Sequence, residues 1–285
     1  MRCKTYRRPS DDSNIEGTFV TVSAIKVDGK TVEGFEKQTI DISAYHDGET
    51  KLIYSDMVEA SSYNSVSLEI DYESDASGNS PGCYVLTSDN QKHNLQTSSS
   101  TSSELSFSKD FEVQSNENSS LVFDFDLRKT IQRNENSAET QYSFVAASEM
   151  ASGVRVISEN STGEIEGNVT GSAISDDKEY IVYAYKKGEY NASTETQGQT
   201  GSNLLFMNAV TSSKVKQDGS YKLSFLEEGD YEIHVASYNR TSTESELSFS
   251  AIANAVSAVN NIILSNITVS SNTTIQLDLT VSLSI

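Results

Sequence analysis

Apolar and polar residues alternate with a period of two along almost the whole chain, and that pattern leaves room for little besides strands. TFVTVSAIKVDGKTV sets Phe19, Val20, Val22, Ile25 and Val27 in a strand that ends on the turn pair Asp28-Gly29. TIDISAY follows and ends at Asp47-Gly48, and YNSVSLEIDYE puts Val66, Leu68, Ile70 and Tyr72 on one face. CYVLTSD, ELSFSKDFEV and LVFDFDL read as further strands, with the Ser-rich stretch from Gln96 to Glu104 as a loop. QYSFVAASEMASGVRVI, residues 141 to 157, reads as the last strand of a first module. The polar, turn-prone SENSTG at 158 to 163 is the expected boundary.

The pattern restarts beyond it with GEIEGNVTGS, EYIVYAYKKGEY and DGSYKLSFLEEGDYEIHVASY. In that last stretch Glu227-Glu228-Gly229-Asp230 reads as a hairpin turn, because Gly229 supplies the backbone freedom a tight turn needs. AIANAVSAVNNIIL, residues 251 to 264, fits either a short helix or a loop followed by a strand. The tail TIQLDLTVSLSI alternates without interruption from Ile275 to Ile285. Composition agrees: two prolines, no tryptophan, 14 Tyr against 10 Phe, and an abundance of Ser, Thr and Asn that suits turns and wet strand faces.

Several function classes fall away at this level. A net charge of −20 offers no clustered basic surface for phosphate, so no nucleic-acid partner is expected. No window approaches the roughly 20 apolar residues of a membrane-spanning helix. Cys3 and Cys83 are too few for a disulfide framework, and a bridge between them is not expected, with Cys3 in a tail and Cys83 in a strand. His46, His93 and His234 lack the spacing of a zinc site, and His234 has the parity of a surface strand residue. No nucleophile elbow or phosphate-binding glycine loop occurs, so neither an enzyme nor a cofactor is expected. Seven Asn-x-Ser/Thr sequons are about what a chain so rich in these residues produces by chance.

Two groups remain as site candidates. Asp124 and Asp126 share a strand face with Arg128, about 7 Å apart, too wide for a proton-sharing pair. They read as a solvated strand face with Arg128 as local partner, and less readily as a cation site. On that reading, changing both to Asn costs no more than about 1 kcal/mol. Tyr183, Tyr185 and Tyr190 in YIVYAYKKGEY are candidate stacking rings for a glycan, although Tyr183 and Tyr185 fit a core equally well.

The stretches FVTVSAIKVDG, TIDISAYHDGET, LVFDFDLRKTI and YSFVAASEMASGVRVI resemble a family of uncharacterised domains found in bacterial envelope lipoproteins, over roughly residues 10 to 157. GEIEGNV and DGSYKLSFLEEGDYEIHV, within residues 163 to 240, look like carboxypeptidase-regulatory or prealbumin-like sandwiches. The resemblance implies an all-β protein of two tandem antiparallel β-sandwich domains, Ig-like or prealbumin-like, over residues 1–160 and 161–285. It also implies export to a bacterial cell surface, outer membrane or periplasm. The first family opens with a strand closed by a T-D-A-P turn, of which TYRRPSDD shares only Thr5 and Pro9. That mismatch, with no signal peptide in MRCKTYRRPS, leads to the expectation of a longer natural protein with a further strand before Ser10. Cys3 would be a candidate for lipidation in such a form, although no small-apolar lipobox precedes it. The function expected is a structural or adhesive part of a surface assembly, contacting an envelope or extracellular protein or a glycan. The alternative is a glycan- or peptide-binding lipoprotein serving nutrient capture.

Overall fold

In the computed structural model nearly all regular structure is strand, and the chain divides into two compact units between Glu159 and Asn160. The structure describes residues 1–8, 15–95, 104–115, 117–134, 141–145, 152–171, 178–197, 204–239, 247–258 and 262–282. The Ser-rich loop expected at 96 to 104 lies almost wholly outside the described residues.

The first unit packs two sheets. One has the order β13-β10-β1-β5, built from β1 (Arg2–Arg8), β5 (Lys51–Ser55), β10 (Ser120–Asp126) and β13 (Val154–Ser158). The other has the order β8-β7-β2-β6-β9, from β2 (Ile15–Val27), β6 (Ser61–Ile70), β7 (Tyr84–Thr87), β8 (Lys92–Asn94) and β9 (Glu104–Val113). Short strands β3 (Lys30–Thr31) and β4 (Gln38–Asp41) add to β2, and β11 (Ile131–Asn134) with β12 (Gln141–Phe144) forms a hairpin of its own. Inward-facing residues of both sheets make one core, in which Phe107 and Phe123 meet at 5.9 Å between ring centres. The turn after β2 has Asp28 at φ 46 and Gly29 at φ 74, the two successive left-handed residues of a tight hairpin.

Three expectations change here. Arg2–Arg8 is a strand, paired in parallel with β10 and antiparallel with β5, so this region holds a strand where a lost one was expected. Cys3 therefore lies in the core with no exposed surface, where a tail had been expected. The segment 141 to 157 supplies two strands rather than one, because β12 pairs with β11 while β13 pairs with β10.

The second unit runs β16-β15-β18-β19-β22-β14-β17. Its strands are β14 (Thr162–Thr170), β15 (Lys178–Lys186), β16 (Thr211–Lys214), β17 (Ser220–Glu227), β18 (Gly229–Asn239), β19 (Ser248–Ser257) and β22 (Leu279–Ser282). β20 (Ile267–Val269) pairs with β18, and β21 (Thr274–Gln276) with β14. The ends of the sheet order approach each other, since the Lys222 amide donates to Ser213 Oγ at 3.0 Å. Gly229, at φ 141, makes the expected turn between β17 and β18. The ambiguous stretch after residue 250 is strand as far as Ser257. The tail is broken at Leu277-Asp278, where the Asp278 carboxylate accepts from the Asn168 amide at 2.9 Å. Both tail strands run parallel to β14, so the pairing is mixed rather than purely antiparallel.

Candidate functional site

The parity read for LVFDFDL holds, and its wet face does not. Leu121, Phe123, Phe125 and Leu127 belong to the core of the first unit, while Asp124 and Asp126 point to the opposite face. All seven residues of β10 are buried, and neither aspartate exposes any surface. The expected solvated face is therefore a dry one. β10 lies between β1 and β13, and the register sets Asp124 beside Tyr6 on one side and Arg155 on the other.

A carboxylate stripped of water needs a counter-charge and donors. Asp124 receives both from Arg155, whose Nη2 and Nε stand 2.5 and 2.9 Å from Oδ2. Asp126 takes a two-pronged contact from Arg128, Nε to Oδ1 at 3.1 Å and Nη2 to Oδ2 at 3.0 Å, with Lys129 Nζ at 3.8 Å. Arg128 is thus the local partner expected, held on one helical turn, α1 (Leu127–Thr130), whose Thr130 hydroxyl donates to the Asp126 carbonyl at 3.1 Å. This geometry neutralises two charges and braces β13 against β10. Among the described residues, no group of three or more His, Cys, Asp or Glu could hold a metal ion.

Of the candidate tyrosines in the second unit, Tyr183 and Tyr185 also lie inside. Strand β15 is buried on both faces: Tyr180, Val182 and Ala184 enter the main core, and Ile181, Tyr183 and Tyr185 enter a second cluster. That second cluster is covered by residues 187–197 and 204–210 over the outer face of β15 and β18, with Phe249 of β19 against Phe206 and Tyr238. Phe206 stacks on Tyr183 at 4.3 Å with planes 16° apart, and the Tyr183 and Tyr238 hydroxyls meet at 2.7 Å. Tyr190 is half-buried and lies flat on His234, 3.6 Å between ring centres.

Two glutamates that the periodicity does not mark hold this arrangement. Glu195, 1% exposed on the single helical turn α2 (Ala192–Glu195), accepts from the Tyr185 hydroxyl at 2.8 Å and from Asn208 Nδ2 at 2.6 Å. Glu232 Oε1 accepts from the amides of Gly188 and Tyr190 at 3.0 and 2.8 Å. The sequence signal nearest to them is the aromatic spacing YAYKKGEY, which marks Tyr183, Tyr185 and Tyr190 and neither glutamate.

His234 keeps the parity read for it, opposite the core residues Ile233 and Val235, but is only partly exposed. Burial holds its imidazole below the ordinary histidine range, although the nearby Glu232 carboxylate pulls the other way. His93 Nε2 sits 3.1 Å from Thr87 Oγ1, and exposed His46 lies 2.9 Å from Asp47. Cys3 and Cys83 are free and buried, and burial pushes both thiols up to about 12.

Residues 8–145 match the family model described as Domain of unknown function (DUF4382). No curated protein matches the chain. Among solved structures, BcpA, the major pilin subunit of Bacillus cereus, is similar at 12% identity and TM-score 0.23, over 95% of this chain and 61% of that one. GBS52, the minor pilin of the Gram-positive pathogen Streptococcus agalactiae, is similar at 9% identity and TM-score 0.21, over 100% and 97% of the two chains. The T-13 major pilin protein of Streptococcus pyogenes follows at 8% identity and TM-score 0.21, over 99% and 96%. The chain spans about 61% of the length of the first of these. Among the described residues no helix is long and apolar enough to cross a membrane.

Proposed function

We propose that the protein is a non-catalytic, exported two-module β-protein that serves as a structural or adhesive part of a bacterial surface assembly. One observation carries this reading. The side chains of catalytic type that stand out in the chain are bound to one another inside it: Asp124 to Arg155, Asp126 to Arg128, Glu195 to Tyr185 and Asn208. Their contacts brace strands and loops, and a substrate meeting the surface reaches neither aspartate. The two modules, 1–160 and 161–285, are proposed as an envelope-type domain of the matched family followed by a carboxypeptidase-regulatory-like sandwich.

Nutrient capture is supported by a single feature, a cleft of about 700 Å³ lined by Ile233, His234, Ile252, Asn254, Val256 and Leu264. Glycan capture on Tyr183 and Tyr185 has less support, since neither ring is exposed. The test is protease shaving of intact cells making the natural protein, together with adhesion of a deletion strain and a glycan and peptide array. Surface cleavage with lost adhesion is expected. Retention in the cytosol sinks the export reading, and a specific array hit with normal adhesion favours capture.

A further inference from the structure

The aromatic cluster on the outer face of β15 and β18 is flanked on one side by Leu247, Phe249 and Ile252 and is otherwise covered by two stretches of chain, 187–197 and 204–210; residues 198–203 between them lie outside the described residues. The contacts that hold these arms converge on one side of His234. Tyr190 stacks on the imidazole at 3.6 Å with planes 22° apart, and Tyr185 meets the ring edge-on at 5.9 Å. Glu232, two residues away on the same strand, holds the first arm by the amides of Gly188 and Tyr190. Glu195 ties the arms together, because its backbone carbonyl accepts from the Phe206 amide at 2.8 Å while its side chain takes Asn208 and Tyr185.

The titratable groups facing His234 are Glu232 on its own strand, Tyr185 on β15 and Tyr190 on the first arm, with Glu195 behind them on Tyr185. On the side of β19 and the segment before β20, the polar side chains lining the same cleft are uncharged: Asn254, Ser257 and Ser265. Glu232 Oε2 stands 3.6 Å from His234 Nε2, close enough to attract a proton there but beyond good hydrogen-bond range, and burial of the ring outweighs that attraction. A charge placed on this imidazole would lie against the Tyr190 ring on one side, with only a quarter of the side chain in water.

We propose that residues 187–197 and 204–210 form an acid-released cover over the aromatic face of β15 and β18, with His234 as the sensing group. The direction follows from burial. A histidine whose folded pKa is depressed supports the closed state above its ordinary pKa, and that support falls as pH drops below about 6.5. Release bares the ring faces of Tyr183 and Tyr185 that Phe206 and Tyr190 cover, while Tyr238 keeps its contact with Phe249.

Hydrogen exchange of the full chain at about pH 7.5 and about pH 5.5, scaled for the intrinsic exchange rate, tests this directly. The amides of Tyr190, Phe206 and Val210 are expected to lose protection severalfold at the lower pH, while β17 in the same unit keeps its own. His234→Phe preserves a ring under Tyr190 and removes the titration, so in this variant the acid-dependent loss should vanish. Protection of the arms that is unchanged or raised at the lower pH overturns the proposal, and so does an equal loss in the variant. Should the variant fail to fold, wild-type exchange is compared with the nuclear magnetic resonance titration of the His234 ring. The two midpoints must coincide, and a clear mismatch overturns it too.

Discussion

Strands β10 and β15 make the same demand and meet it with opposite chemistry. Each lies between two neighbours in its sheet, and each is buried on both faces along most of its length. On β10 the face away from the core carries two aspartates, and arginines reach in to neutralise them. On β15 the face away from the core carries Ile181, Tyr183 and Tyr185, and a covering segment brings Phe206 and Ala209 against them. A dry polar face depends on a counter-charge, which acts only in a narrow geometry, whereas a dry aromatic face depends on shape and area. The first arrangement should therefore fail abruptly when one partner is removed, and the second should yield by degrees.

The largest effect expected is on β10. Changing Asp124 and Asp126 together to Asn leaves the Arg155 and Arg128 guanidiniums facing neutral amides in a buried site. A loss of about 3–5 kcal/mol is expected in denaturant unfolding of the first unit, in place of the near-neutral outcome a wet face would give. A loss below about 1 kcal/mol would show that water reaches this face.

Phe206→Leu is the corresponding change on β15. It removes the stacked partner of Tyr183 and keeps most of the apolar volume, so about 1–2 kcal/mol is expected from the melting curve. A loss as large as that of the aspartate pair would erase the distinction between the two strands.

The two cysteines probe the same contrast kinetically. Thiols pushed up to about 12 by burial are not thiolates at neutral pH, so alkylation should wait on unfolding of the first unit. Rapid labelling of Cys3 in the native protein would show that β1 detaches, and with it the strand that flanks Asp124.

The smallest effect belongs to a partly exposed pair. Burial raises the Asp71 pKa, but the Lys37 ammonium and the amides of Ser74 and Glu73 outweigh it and hold the carboxyl at about 2. A depressed carboxyl contributes stability above its ordinary pKa, and that contribution is lost as pH falls from about 4 towards 2. Solvent screening at this partly exposed site limits it to less than about 1 kcal/mol. Lys37→Ala should narrow that acid-side loss in a stability-versus-pH series, and no change would show the pair to be idle.

The chain alone settles what is local. Alternation marks β2, β6, β9 and β18, the pair Asp28-Gly29 marks a turn, and the parity of LVFDFDL separates Phe123 and Phe125 from Asp124 and Asp126. These features are readable because side-chain direction along a strand and left-handed turn geometry depend on a few consecutive residues. Whether a face is wet depends on what arrives from elsewhere. Arg155 lies 31 residues from Asp124, and Glu232 lies 42 residues from the Tyr190 amide it holds. Tertiary structure alone decided that the aspartates are a buried brace, that Cys3 is core and that the tyrosines lie under a cover, because dehydrating a polar group is favourable only once its distant partner is in place.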